Sequence, residues 1–168
     1  MQRLFKTYLD IALWRKGPQD LPASYSVCWF IGLMYVAIAL VQVRFMHYSL
    51  FDGLALVLVD VGMQAAWLAL LLVFFARMQR FPQTLSAVLG VGILLGALDL
   101  LVSSILLFTH AGRDLGYEWG LLKLVFMALV IGRILTQAID RGLFTGIALV
   151  IAIVLSTEAV SDLILRQL

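Results

Sequence analysis

From Ser24 onward, mainly apolar stretches of about 20 residues follow one another with short polar breaks between them, each long enough to cross a hydrocarbon layer of roughly 30 Å as a helix. Few folds accommodate that spacing. A transmembrane barrel would alternate apolar and polar residues over shorter segments, whereas Leu54 to Val61 and Leu143 to Leu155 show no alternation. Hydrophobic residues make up 63% of the 168, well above the roughly 45–50% of soluble domains. The chain therefore reads as all-α: a single-domain polytopic transmembrane helical bundle of about five spans, at roughly 24–43, 53–76, 84–109, 119–139 and 143–165. Ser156, Thr157, Glu158 and Asp162 make the last span amphipathic toward its end. Four spans with a final re-entrant or interfacial helix are the alternative.

The first 16 residues have a different pattern. At helical spacing Leu4, Phe5, Tyr8, Leu9 and Ala12 fall on one arc and Arg3, Lys6, Thr7 and Asp10 on the other, which predicts an amphipathic helix lying at the membrane interface. A helix packed on the bundle is the competing reading. Trp14, Arg15 and Lys16 form an aromatic and basic edge suited to the headgroup layer, and Gly17 to Pro22 breaks the helix. A cleaved signal peptide fits poorly, because the apolar run around Ala37 and Ala39 continues without a cleavage pattern.

Lysine and arginine bias in short loops sets orientation. With the N-terminus inside, Arg3, Lys6, Arg15, Lys16, Arg77, Arg80, Arg133 and Arg141 collect on the cytoplasmic side, and Arg44, Arg113, Lys123 and Arg166 on the other. The expected topology is N-terminus cytoplasmic, C-terminus across the membrane. Arg15, Lys16, Arg77, Arg80 and Arg133 are candidate lipid-headgroup contacts, with lipid phosphate or Asp140 the expected partner of Arg133.

Ionisable groups inside spans are the informative exceptions, since each costs about 2.5–3.5 kcal/mol at mid-membrane on insertion scales. Asp60 and Asp99 fall at similar depths from the outer side, near enough to face one another. Gln64 shares the stripe of Asp60 one turn on, and Lys123 and Glu158 approach the same layer from the fourth and fifth spans. These five form a candidate intramembrane polar cluster. Such groups can satisfy one another and fix helix register, carry a proton or small ion, or hold a polar ligand or partner helix. Gly92, Gly96, Asp99 and Ser103 share one face of the third span, and the spacing of Gly92 and Gly96 suits close helix packing.

Other chemistry is poorly supported. The lone Cys28 has no partner for an internal disulfide and sits at the start of an apolar run. His47 and His110 fall in outer loops near Asp52, Asp114 and Glu118, without the spacing of a metal motif. No catalytic residue, metal site or cofactor is expected. The net charge of +2 and the lack of an aromatic-basic stripe argue against nucleic acid.

The opening Tyr8-Leu9-Asp10-Ile11-Ala12-Leu13, followed by Gly17-Pro18-Gln19-Asp20-Leu21-Pro22, resembles the leader of short bacterial inner-membrane proteins grouped with the Yip family of small five-span membrane proteins. The resemblance covers most of the chain as architecture. It departs at the family's Asp-Leu-x-Gly-Pro signature, because here Gly17-Pro18 precedes Asp20-Leu21, so no functional residue carries over. It implies a non-enzymatic accessory or scaffolding protein of a bacterial inner membrane, working through lipids, a partner membrane protein or copies of itself. A small proton- or ion-coupled transporter or channel using Asp60 and Asp99 is the alternative.

Overall fold

The computed structural model describes residues 2–45, 47–108 and 114–165, and omits the side chains of residues 1–3, 46, 107–114, 158–159 and 161–168. The described residues form six α-helices and no strand: α1 Gln2–Ala12, α2 Tyr25–Phe45, α3 Leu50–Phe74, α4 Phe81–Phe108, α5 Asp114–Ile139 and α6 Leu143–Leu165. Their boundaries follow local chemistry. The three prolines lie outside helix interiors: Pro18 and Pro22 in the α1–α2 linker and Pro82 in the first turn of α4, where no amide hydrogen bond is lost. Ser49 caps α3, its hydroxyl oxygen accepting from the Asp52 amide at 3.1 Å.

Helices α1, α2, α3 and α5 end in the same way. Trp14, His47, Ala76 and Asp140 adopt φ of 64°, 68°, 53° and 54°. The next residue's amide returns to a carbonyl five positions back, as in Arg15 to Asp10 at 2.7 Å and Arg141 to Thr136 at 3.1 Å. This is the Schellman arrangement, with a side chain where glycine is usual. Ala76 is exposed, so its methyl group gains little from packing while bearing the left-handed strain. Ala76→Gly is expected to stabilise the bundle by about 1 kcal/mol, measured by unfolding in mixed micelles; a destabilised variant would show that the backbone there is unstrained.

Helices α2 to α6 run alternately up and down. The most extensive contacts join α2 to α4 and α5 to α6, while α3 touches α2, α4 and α6. The core seam includes Leu85, Val88 and Leu89 of α4 and Val130, Ile134 and Leu135 of α5. Glycines set the closest approaches. A side chain at Gly92 would meet the ring of Tyr35 at 2.6 Å, and one at Gly96 would meet Ile38 at 3.0 Å. The glycine pair therefore seats α2 on α4.

Helix α1 packs on α4 and α5 at the end where α5 finishes. Its expected apolar arc divides in two. Tyr8, Ile11 and Ala12 are buried with Leu4 beside them, Tyr8 lying against Gly90, whereas Phe5, Leu9 and Leu13 face outward. Neighbouring positions lie about 100° apart around a helix, enough to send Leu4 and Phe5 to different surroundings. Burial raises the pKa of the Tyr8 phenol, which keeps this docking face neutral.

Helices Tyr25–Phe45, Leu50–Phe74 and Leu115–Ile139, with the segment Met78–Leu106, are long and apolar enough to cross a membrane, and Leu143–Thr157 is a shorter apolar stretch. The protein is an integral membrane protein.

Candidate functional site

The α2–α4 seam places the polar groups. Cys28, Ile31, Tyr35, Ile38 and Gln42 recur at helical spacing on the face of α2 nearest α4. Because Gly92 leaves room for its ring, Tyr35 reaches past α4 to α3, where its hydroxyl donates to Asp60 Oδ2 at 2.7 Å. The Gln64 amide donates to the same oxygen at 2.8 Å and to the Tyr35 hydroxyl at 3.2 Å. Asp60 thus ties α3 to α2.

Asp99 has a separate set of partners. Its Oδ1 accepts from the Trp119 indole at 2.9 Å and lies 3.0 Å from the Lys123 ammonium, both on α5. Its Oδ2 accepts from Gln42 of α2 at 3.0 Å. Only 7% of Asp99 is exposed, so these bonds replace solvent that the site excludes. One carboxylate therefore clasps α2, α4 and α5.

Counted from the helix ends at α1, Asp60, Lys123 and Asp99 stand about 21, 24 and 27 Å along their helices at 1.5 Å per residue. The two acids share a layer, yet no hydrogen bond joins Asp60 to Asp99 among the described residues, because α2 supplies each with its own partner. Gln64 lies beside Asp60 and Lys123 beside Asp99; the side chain of Glu158 lies outside the described residues. Sequence reasoning did not single out Tyr35, Gln42 or Trp119. The α2 stripe carried the signal for the first two.

A cavity of about 380 Å³ lies below this layer between α3, α5 and α6. Asp60, Gln64, Lys123 and Thr157 line one end of it, and Leu68, Met127, Ile131, Leu135 and Val150 line much of the rest. From Lys123 to Leu135 the wall runs for about 18 Å.

At the opposite end several basic residues find partners within the chain. Asp140 pairs with Arg77 at 2.9 Å and Arg80 at 3.3 Å, and Arg80 also donates to the carbonyls of Gln137 and Ala138. Arg133 does not take Asp140. It donates to the Trp14 carbonyl at 3.2 Å and stacks 5.0 Å from the Trp14 ring, which anchors the end of α1. Lys16 pairs with Asp10 at 3.3 Å, and Arg15 is exposed. His47 stands exposed beside α2, while His110 lies outside the described residues. Among the described residues no three of His, Cys, Asp or Glu gather as a metal site.

Fold and site together define a polytopic helical membrane protein with a braced polar layer. In comparisons with known proteins, no family profile, curated protein or solved structure matches the chain.

Proposed function

We propose that this chain is a non-enzymatic accessory or scaffolding protein of a bacterial inner membrane, with its N-terminus in the cytoplasm and its C-terminus in the periplasm. The observation that supports this reading best is the bracing of the interior. Asp60 through Tyr35, and Asp99 through Gln42, Trp119 and Lys123, each bond a neighbouring helix, which makes a firm frame whose apolar faces, such as Trp29, Leu33 and Phe51, point outward. The outward stripe of α1, Phe5, Leu9 and Leu13, offers lipids or a partner membrane protein a further surface. The orientation rests on Arg15, Lys16, Arg77, Arg80, Arg133 and Arg141, which lie at the α1 end of the bundle. Two arginines against the single Asp140 leave one positive charge for anionic headgroups. A Yip-like organising role fits this arrangement.

A second reading, a proton or ion path, draws on Asp60 and Lys123 lining one cavity. The double replacement Asp60→Asn with Asp99→Asn separates the two. Recovery of the same heteromeric complex from mild detergent, with no proton flux into reconstituted vesicles by either protein, is the expected result. A wild-type flux that the double replacement removes would instead select the second reading.

A further inference from the structure

The polar layer does not balance in charge. Asp99 has Lys123, but the described partners of Asp60 are the Tyr35 hydroxyl and the Gln64 amide, both neutral donors. Two acids against one base leave the described side chains of the layer with a net charge of −1. Both bonds to Asp60 end on Oδ2, so Oδ1 accepts no hydrogen bond from a described donor. An unmatched carboxylate at this depth is costly unless a proton or a bound cation completes it.

The cavity beside Asp60 supplies room for the second. Its volume of about 380 Å³ lies within the roughly 300–1,000 Å³ usual for small-molecule sites. Polar groups gather at one end, and the remaining wall is mainly leucine, isoleucine and valine. We propose that this cavity binds a lipophilic monocation, an amine-bearing amphiphile whose ammonium donates to Asp60 Oδ1 while its apolar body lies along α5 and α6. An anionic amphiphile is disfavoured, since Lys123 is already engaged by Asp99 and a second carboxylate or sulfate would stand beside Asp60. A neutral alcohol of the same length fills the walls but leaves the charge of Asp60 unmatched. This site goes beyond the accessory reading and does not depend on it.

The test is equilibrium binding of radiolabelled decylammonium to the full chain in phosphatidylcholine nanodiscs, with empty nanodiscs subtracted and decanol and decyl sulfate as comparisons. Saturable binding of decylammonium is expected, with decanol about tenfold weaker or worse and no saturable binding of decyl sulfate. Asp60→Asn should weaken decylammonium by about tenfold or more. Ala128→Phe, which places a ring in the cavity wall five positions along α5 from Lys123, should weaken it comparably and serves if the asparagine variant does not fold. Absence of saturable binding, equal affinity for decanol, or an unchanged constant in the folded variants would each overturn the proposal. None of these outcomes depends on recovering a partner complex, so the two readings fail separately.

Discussion

Replacing Lys123 by methionine is expected to destabilise the bundle by about 3 kcal/mol, the lower end of the cost of breaking a buried ion pair from one side. The loss falls mainly on Asp99, whose side chain is 11% exposed against 33% for Lys123. A short carboxylate in the middle of a helix has nowhere to go, whereas a long lysine stem can carry its charge toward an interface. Asp99→Asn should therefore cost less, about 1–2 kcal/mol, since the amide oxygen still accepts from Trp119 or Gln42. Combining Asp99→Asn with Lys123→Met should cost about 1–2 kcal/mol, no more than Asp99→Asn alone, which corresponds to a coupling of about 3 kcal/mol. Sodium dodecyl sulfate titration of the protein in mixed micelles, followed by circular dichroism, gives the four values. Strict additivity of the two single changes would show that the pair contributes no interaction of its own.

Gly146→Val should cost about as much by a steric route. The α5–α6 seam brings backbone against backbone: a side chain at Gly146 would run into the carbonyl oxygen of Gly132, and one at Gly132 would meet the Ile147 backbone at 3.2 Å. Backbone cannot rotate aside as a side chain can, so α6 must move away from α5. A loss of about 3 kcal/mol is expected, at the upper end of ordinary overpacking. Gly62→Val is the control, because no atom lies within 4 Å of a side chain there, and its effect should stay below about 0.5 kcal/mol. Equal losses at both positions would mean that the α5–α6 seam does not set the cost.

The spans were legible because hydrophobic length accumulates residue by residue and needs no knowledge of neighbours. Helix beginnings were less so. Helix α4 starts at Phe81 instead of residue 84 because proline is tolerated in a first turn, and α5 starts at Asp114 instead of residue 119 because a polar turn can continue an apolar helix into the interface. The depth of Asp60, Asp99 and Lys123 could be counted along the chain, but their pairing could not. Which acid receives the lysine depends on how α2 enters beside α4, and that follows from Gly92 and Gly96 meeting Tyr35, Ile38 and Gln42. Arg133 illustrates the same limit: Asp140 is close in sequence, yet the group it reaches is the Trp14 carbonyl, 119 positions away.

The different partners of the two acids also order the assembly of the chain. Asp60 finds Tyr35 on the helix already made before it and Gln64 one turn later, so an α2–α3 hairpin contains both described donors. Asp99 is made before its base: Gln42 precedes it, but Trp119 and Lys123 follow by 20 and 24 positions on the next helix. During synthesis α4 therefore presents an uncompensated carboxylate until α5 arrives. Helix α4 thereby becomes conditional on α5, which supplies the charge that allows it to settle, and α6 then closes against the glycine of α5, giving insertion a direction from the N-terminal hairpin toward the C-terminal helices.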